Sequence, residues 1–340
     1  MFCFFVLSWI TIPMTLVMAR PINMGLLNRA SSSSTSIYSF DSTNHATRNI
    51  TDGEFAGRSY LVHLPSDYDK DKNHAVVLSF HGNGGTSSQQ ETISQLSDTG
   101  MTINDLGIIA VYPQASLGKG RDGGQKENSW QGAPYAADGV DDIGFTSTIL
   151  DEVSANLAVD AERFYATGKS NGGGFTNLLA CTPSINVRFA AFATISAALY
   201  PDTLPGVDAS DTSTACNPKR QIPILISHGY NDTTIPYLGQ TERDGSTDYR
   251  TPNIDSFAES WAKRNVQYLN SSSDAVAQFT TTDPYTNTLQ RLYTIGKVLQ
   301  LSLNYFQHCW PSEAGLDCDK ASFNLTPAKL LSFLEANPLN

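Results

Sequence analysis

The stretch Ala166-Thr167-Gly168-Lys169-Ser170-Asn171-Gly172-Gly173-Gly174-Phe175 constrains the fold more than any other in the chain. Arg163-Phe164-Tyr165 before it reads as the end of a buried strand, and Phe175-Thr176-Asn177-Leu178-Leu179-Ala180 after it as the apolar face of a helix. A Gly-x-Ser-x-Gly at a strand-to-helix corner is a nucleophile elbow: a sharp, strained turn that lifts a serine hydroxyl above the sheet edge. Glycines on both sides of Ser170 leave room where strand and helix backbones approach. The same pentapeptide without these flanks is only a Gly-rich turn, so its meaning depends on partners elsewhere.

A serine hydroxyl is too weak an acid to attack a carbonyl unaided. It needs an imidazole base, and the imidazole needs a carboxylate that fixes its tautomer. In an elbow fold the chain order is Ser, then Asp or Glu, then His. Asp232 follows the apolar run Pro223-Ile224-Leu225-Ile226-Ser227-His228-Gly229, and His308 is the one histidine after it. The tetrahedral intermediate also needs two N–H donors. Asn171 supplies one by position. The second is expected from His81-Gly82-Asn83-Gly84-Gly85, at the end of the strand-like run Ala75 to Phe80, with Asn83 first and Gly84 second. Gly-x-Gly-x-x-Gly and Walker spacings are absent from that loop, which argues against phosphate binding. His81 is expected to brace the loop and His228 to be a strand-end residue. Asp141 and Asp142 precede a helix, where adjacent carboxylates more often cap than act as an acid pair.

Apolar runs at 75–80, 107–113, 190–196, 223–229 and 289–295 alternate with helical patterns at 89–97, 143–157 and 256–265. Strands alternating with helices give a mostly parallel α/β sheet with active residues at the strand C-termini. Thr326-Pro327 is expected to open a last helix, with Thr326 as its N-cap.

The chain of 340 residues carries 33 acidic against 22 basic side chains, a net charge of -11, which disfavours a nucleic-acid or anionic-membrane partner. Phe2 to Met18 is nearly all apolar, and Val17-Met18-Ala19 offers small residues for cleavage. Residues 1–19 are therefore expected to be a secretory signal peptide, although no Lys or Arg follows Met1. Residues 20–47 are Ser-rich and aperiodic, expected as a disordered leader, and residues 48–340 as one catalytic domain. Secretion leaves four cysteines, expected as Cys181 with Cys216 and Cys309 with Cys318, because each pair brackets a loop-rich segment. Their spacing does not suit a metal site. Sequons at Asn49, Asn270 and Asn324 are expected to carry glycans, whereas a fourth at Asn231 lies too close to the proposed site.

These residues carry a resemblance. The segments His81 to Gly85, Trp130-Gln131-Gly132-Ala133-Pro134-Tyr135, Gly139 to Phe145, Gly168 to Gly173, Asp232 to Tyr237, and His308-Cys309-Trp310-Pro311-Ser312 resemble those of fungal feruloyl esterases of types C and D, in the wider group of polyhydroxybutyrate-depolymerase-like esterases. The resemblance covers roughly 48–334. It implies an α/β-hydrolase fold, a Ser170–Asp232–His308 triad, no cofactor, and hydrolysis of hydroxycinnamoyl (feruloyl) esters on plant cell-wall polysaccharide; separately, the chain is expected to be a secreted monomer. Trp130 and Trp310 are expected to bind substrate; for Trp130 the wall of an aromatic acyl pocket and core packing under a loop are both open readings. Within the enzyme class the rivals are a polyester depolymerase and an acetylxylan esterase; outside it, an inactive wall-binding protein. Three departures stand out. Cysteines common in relatives are absent at Ser129 and near Val266. Lys169 fills an often small position. The apolar run Val298-Leu299-Gln300-Leu301-Ser302-Leu303 lengthens the approach to His308. Because Gly296-Lys297 and Tyr305-Phe306-Gln307 can be encoded like splice signals, residues 297–307 read as a retained intron that would displace His308.

Overall fold

The computed structural model describes residues 36–121, 124–207, 216–240, 249–269 and 278–339. The expected signal peptide, and the leader as far as residue 35, lie outside the described residues.

Ten strands form one sheet in the order β1-β2-β6-β3-β7-β8-β9-β12-β11-β10. In chain order these are β1 (His45–Asn49), β2 (Ser59–His63), β3 (His74–Phe80), β6 (Ile109–Pro113), β7 (Val159–Lys169), β8 (Ala191–Ile195), β9 (Ile224–Gly229), β10 (Thr280–Tyr285), β11 (Thr288–Tyr293) and β12 (Val298–Leu303). A separate hairpin pairs β4 (Thr102–Ile103) with β5 (Leu106–Gly107). The strands β6, β3, β7, β8, β9 and β12 run parallel, and antiparallel ribbons close both edges.

Side chains alternate across each strand, so both faces bury apolar residues. On one face Val76, Leu78, Phe80, Ala166, Phe192 and Ile224 pack with Ile149, Phe175, Leu179 and Trp261. These four come from helices α2 (Asp142–Asn156), α3 (Asn171–Cys181) and α5 (Ile254–Val266). On the other face Val77, Ala110, Tyr165, Ala193, Leu225 and Leu301 pack with Leu330, Leu331 and Leu334. Helix α1 (Ser87–Ser94) stops three residues before its expected end, at a left-handed Gln95; α4 (Pro183–Asn186) is one turn.

The structure changes several expectations. Folded chain begins before Arg48: Tyr38 is buried with its hydroxyl 2.8 Å from that of Tyr60, and β1 pairs with β2 from His45 onward. The last helix opens as a π turn, Thr326–Leu330, continued by α6 (Leu331–Glu335). Thr326 is not its N-cap, because its hydroxyl donates to the Ser94 carbonyl, on the neighbouring helix.

The largest correction concerns residues 297–307. Val298–Leu303 is β12, buried along its whole length, parallel to β9 on one side and antiparallel to β11 on the other. Removing it would leave β9 and β11 without their shared neighbour. The run at 289–295 is the return strand of the β10–β11 hairpin, and β12 is the last strand before His308. Apolar periodicity identifies a strand and says nothing of its neighbours, so the strand count fell short and β12 looked surplus. Residues 297–307 are therefore a structural part of the sheet and its exit loop rather than a retained intron, and His308 is not displaced from Asp232.

Candidate active site

Sheet order places the chemistry. The chain leaves β3 for β6 on one side and later crosses to β7 on the other, so the loops after β3 and β7 diverge from neighbouring strand ends. Phe80 pairs with Gly168, which sets His81–Gly82 beside Lys169–Ser170. A Cβ on Gly82 would lie 3.3 Å from that of Ser170.

Ser170 adopts φ 55°, ψ -121°, a conformation costly for a residue with a Cβ, by about 1–3 kcal/mol. Its surroundings hold it there. The Ser170 N–H donates to Ile195 O at 3.0 Å, and its carbonyl accepts from Gly174 N at 3.0 Å and Ala198 N at 2.8 Å. The close approach rests on Gly172, where a Cβ would stand 2.2 Å from the Phe80 carbonyl oxygen and 2.5 Å from that of His81.

The strands β9 and β12 end together, Gly229 against Leu303, and send out the two loops that meet. Tyr230 N donates to Leu303 O at 2.9 Å and Asn231 N to Phe306 O at 3.0 Å. The crossing needs Gly229, since a Cβ there would sit 2.1 Å from Phe306 O. Across the loops His308 Nδ1–H donates to Asp232 Oδ2 at 2.7 Å. Asp232 Oδ1 accepts from the Thr234 and Ile235 N–H groups at 2.9 and 2.7 Å, which fixes the carboxylate plane. This tautomer leaves His308 Nε2 with a lone pair. Among the described residues no hydrogen bond joins that nitrogen to the Ser170 hydroxyl; such bonds often form only with substrate in place.

Burial pushes the Asp232 carboxyl up, but the hydrogen bonds from His228 and His308 and their charges outweigh it, and the carboxyl is held well below the usual range. Burial pushes the His308 imidazole down; Asp232 opposes this, while the Lys169 and His228 charges add to it, and the net shift is downward. The imidazole therefore keeps its neutral form to lower pH than an unperturbed histidine does.

On the oxyanion side, Asn171 begins α3, so its N–H has no helical acceptor behind it. Its side chain is locked against Trp130, with Oδ1 accepting from Trp130 N at 2.7 Å. Of the two loop candidates, Gly84 N–H is taken by Asn128 O at 2.8 Å, and Asn83 N–H has no partner among the described residues. The Asn83 side-chain amide donates to Glu127. His81 braces this loop as expected. Its Nδ1–H donates to Gly82 O at 2.7 Å and its Nε2 accepts from Ala115 N at 3.1 Å. Burial pushes the His81 pKa down to about 4, so it stays neutral.

Trp130 and Trp310 do not line a pocket; both are fully buried. Trp130 stacks on Phe175 at 5.3 Å, meets Phe80 edge-on at 5.1 Å, and donates from Nε1 to His81 O at 2.9 Å. Its bulk supports the oxyanion loop from below, so its surface is unavailable to a substrate ring. Trp310 lies under the His308 loop, where its backbone N–H donates to Asp317 Oδ2 at 2.8 Å. Asp141 caps α2, accepting from Gly144 N at 2.8 Å, and buried Asp142 pairs with Arg58 at 2.7 Å.

Both expected disulfides are present, Cys181–Cys216 and Cys309–Cys318. Asp319 lies close to the second pair, but disulfide sulfurs offer no thiolate to a metal. Asn49 is exposed; Asn324 is half-buried with its amide engaged on both sides by Glu313; Asn270 lies outside the described residues. Among the described residues no helix is long and apolar enough to cross a membrane.

Three contacts escaped the sequence reading. His228 Nε2 approaches Asp232 Oδ2 at 3.1 Å while also meeting Ile235 O at 2.8 Å. The His228-to-Asp232 spacing could have signalled this. Ser196 Oγ donates to Cys309 O at 3.1 Å, and Lys169 pairs with Asp317 at 2.8 Å. Nothing local announces those two.

The sheet order, the strained serine at the end of β7 and the ordered Asp and His define the α/β-hydrolase class. Solved structures agree on the fold: an acetyl xylan esterase from Aspergillus awamori aligns with a TM-score of 0.50 at 15% identity, over 77% of this chain and 94% of that one. No family model matches the chain. Among curated proteins, it is 29% identical over 182 residues to feruloyl esterase B of Piromyces equi, an alignment covering 54% of this chain and 30% of that protein. It is also 29% identical over 183 residues to a bifunctional acetylxylan esterase/xylanase of Neocallimastix patriciarum, covering 54% of this chain and 22% of that protein. Feruloyl esterases C and D match as well. These similarities support a feruloyl esterase assignment, and the chain spans less than two thirds of the length of the curated relatives it matches.

Proposed function

We propose that this chain is a secreted serine carboxylesterase that releases hydroxycinnamates such as ferulate from plant cell-wall polysaccharide. The observation that carries the reading is the strained Ser170 at the end of β7, together with a His308–Asp232 pair presented from neighbouring strand ends. Ser170 Oγ attacks the ester carbonyl carbon as His308 Nε2 takes its proton. The oxyanion is held by the N–H groups of Asn171 and Asn83. The tetrahedral intermediate collapses, the alcohol leaves with the proton from His308, and the acyl group stays on Ser170. Water then attacks with His308 again as base, freeing the acid and restoring the serine. Asp232 holds the tautomer and stabilises the imidazolium throughout. The scheme calls for no cofactor or metal.

The disulfides support an oxidising compartment and hence secretion. A groove of about 580 Å³ lined by Tyr230, Tyr285, Asn287 and Asn304 opens beside the ends of β9 and β12. Acetylxylan is the second reading, favoured by the similarity to the bifunctional acetylxylan esterase/xylanase. Purified protein assayed on methyl ferulate, acetylated xylan and a hydroxybutyrate oligomer should show its highest kcat/KM on the ferulate. Higher kcat/KM on acetylated xylan or on the oligomer would reassign the acyl group, and inertness toward all three would reject the esterase.

A further inference from the structure

Lys169 stands immediately before the nucleophile, yet its side chain turns away into a largely buried contact. Its Nζ lies 3.0 Å from Asp317 Oδ1 and 2.8 Å from Oδ2, with both side chains only 14% exposed. Asp317 sits inside the loop closed by Cys309–Cys318. Its Oδ2 also accepts the N–H of Trp310, two residues past His308, at 2.8 Å. One carboxylate therefore joins the residue before the nucleophile to the segment that carries the base. Other ties hold that segment elsewhere: Ser196 Oγ donates to the Cys309 carbonyl at 3.1 Å, and Gln307 N to Asp319 Oδ2 at 3.0 Å. Among these ties Asp317 contacts an elbow side chain directly, whereas Ser196 reaches the elbow through the flanking Ile195 and Ala198, which hydrogen-bond the Ser170 backbone.

We propose that Lys169 and Asp317 form a positioning pair that sets the approach of His308 to Ser170. The proposal rests on the esterase reading for its catalytic meaning and on geometry for the contact itself. A long-range pair suits the task. The elbow and the His308 loop are separated by 148 residues at this contact, and neither can sense the other's placement through backbone alone. A displacement of about 1 Å at such a site costs up to about a hundredfold in rate.

The pair also has an electrostatic consequence. The charged and titratable groups that face His308 are Asp232 and His228, from the end of β9, and Lys169 from the end of β7, with Asp317 neutralising Lys169. The Lys169 cation disfavours the imidazolium, so removing it should raise the His308 pKa. Removing Asp317 leaves the cation uncompensated and should lower it. The two variants thus shift His308 in opposite directions, which loss of packing alone does not do.

The test uses Lys169→Met, Asp317→Asn and Lys169→Arg in the full chain, with melting curves to establish folding. Lys169→Gln replaces the methionine variant if that one does not fold. On methyl ferulate, Lys169→Met and Asp317→Asn should each lower kcat about tenfold or more, with KM within about twofold. The acid limb of kcat/KM should move up in the first and down in the second, and Lys169→Arg should restore both wild-type values. The His308 imidazole, assigned by its loss in His308→Gln, is titrated by NMR in parallel, and this reads the pair whether or not any ester is cleaved. Opposite shifts in the NMR titration support the pair even if wild-type protein cleaves no ester, which would reject only the esterase reading. An unchanged His308 titration in both folded variants, or an unchanged kcat in an active protein, overturns the proposal.

Discussion

The Ser170 elbow and the His308 loop meet at one site and are held in different ways. The elbow is backbone work: Ser170 N–H and carbonyl engage Ile195, Gly174 and Ala198, and Gly172 lets the helix pass under Phe80 and His81. The His308 loop is largely side-chain work: Asp232 and Ser196 fasten it from distant parts of the chain, and Asp317, Asp319 and a disulfide from within the same segment. Backbone anchoring tolerates little and yields a rigid nucleophile. Side-chain anchoring can be loosened in steps, so the base is where activity should be tunable without loss of the fold.

Breaking the chemistry on the elbow side has the largest expected effect. Ser170→Ala should lower ester hydrolysis by about 10⁴-fold or more with the melting curve intact, and should abolish labelling by a fluorophosphonate. Undiminished hydrolysis would falsify Ser170 as the nucleophile. Next come the two glycines that permit the close approaches. Gly172→Ala should destabilise the whole domain by about 3 kcal/mol or more, read from chemical denaturation, because two backbone carbonyls block the new methyl. Gly229→Ala should push out the Phe306 and Gln307 carbonyls that lead into His308, lowering kcat about a hundredfold. A smaller loss of stability than in Gly172→Ala is expected there; equal losses would erase the distinction between the two regions.

The pH profile sharpens the comparison further. Because His308 is pushed down, the acid limb of kcat/KM should lie below the ordinary imidazole value of about 6.5. Stability has a related signature from His81, whose folded-state pKa of about 4 lies below its unfolded value. Its contribution is complete above about pH 6.5 and is lost as pH falls toward 4, amounting to about 3 kcal/mol and read from denaturant midpoints. The smallest effect belongs to Trp130→Phe, which keeps the stacking and removes the Nε1 bond to His81 O. A fall in kcat of about tenfold or less with unchanged KM across acyl groups is expected. A KM change that follows the acyl group would return Trp130 to the substrate pocket.

How much of this was legible in the sequence differs by region. The elbow was legible because its signal is contiguous: a strand, glycines at a fixed spacing around a serine, and an apolar helix face. Asp232 and His308 were legible by chain order, and both disulfides by the segments they bracket. Trp130 stayed open between pocket wall and core because an aromatic in a Gly-rich loop looks the same in sequence in either place.

The sequence by itself determined a mostly parallel α/β architecture, the elbow serine, and which Asp and His to look for, since each follows from local pattern or from order along the chain. Tertiary structure alone decided that Val298–Leu303 is an internal strand between β9 and β11, that among the described residues Gly84 N–H has a partner and Asn83 N–H has none, and that Lys169 reaches Asp317. The physical reason is common to all three. Strand neighbours, hydrogen-bond partners and buried ion pairs are relations between segments distant in the chain, and periodicity or spacing describes one segment at a time.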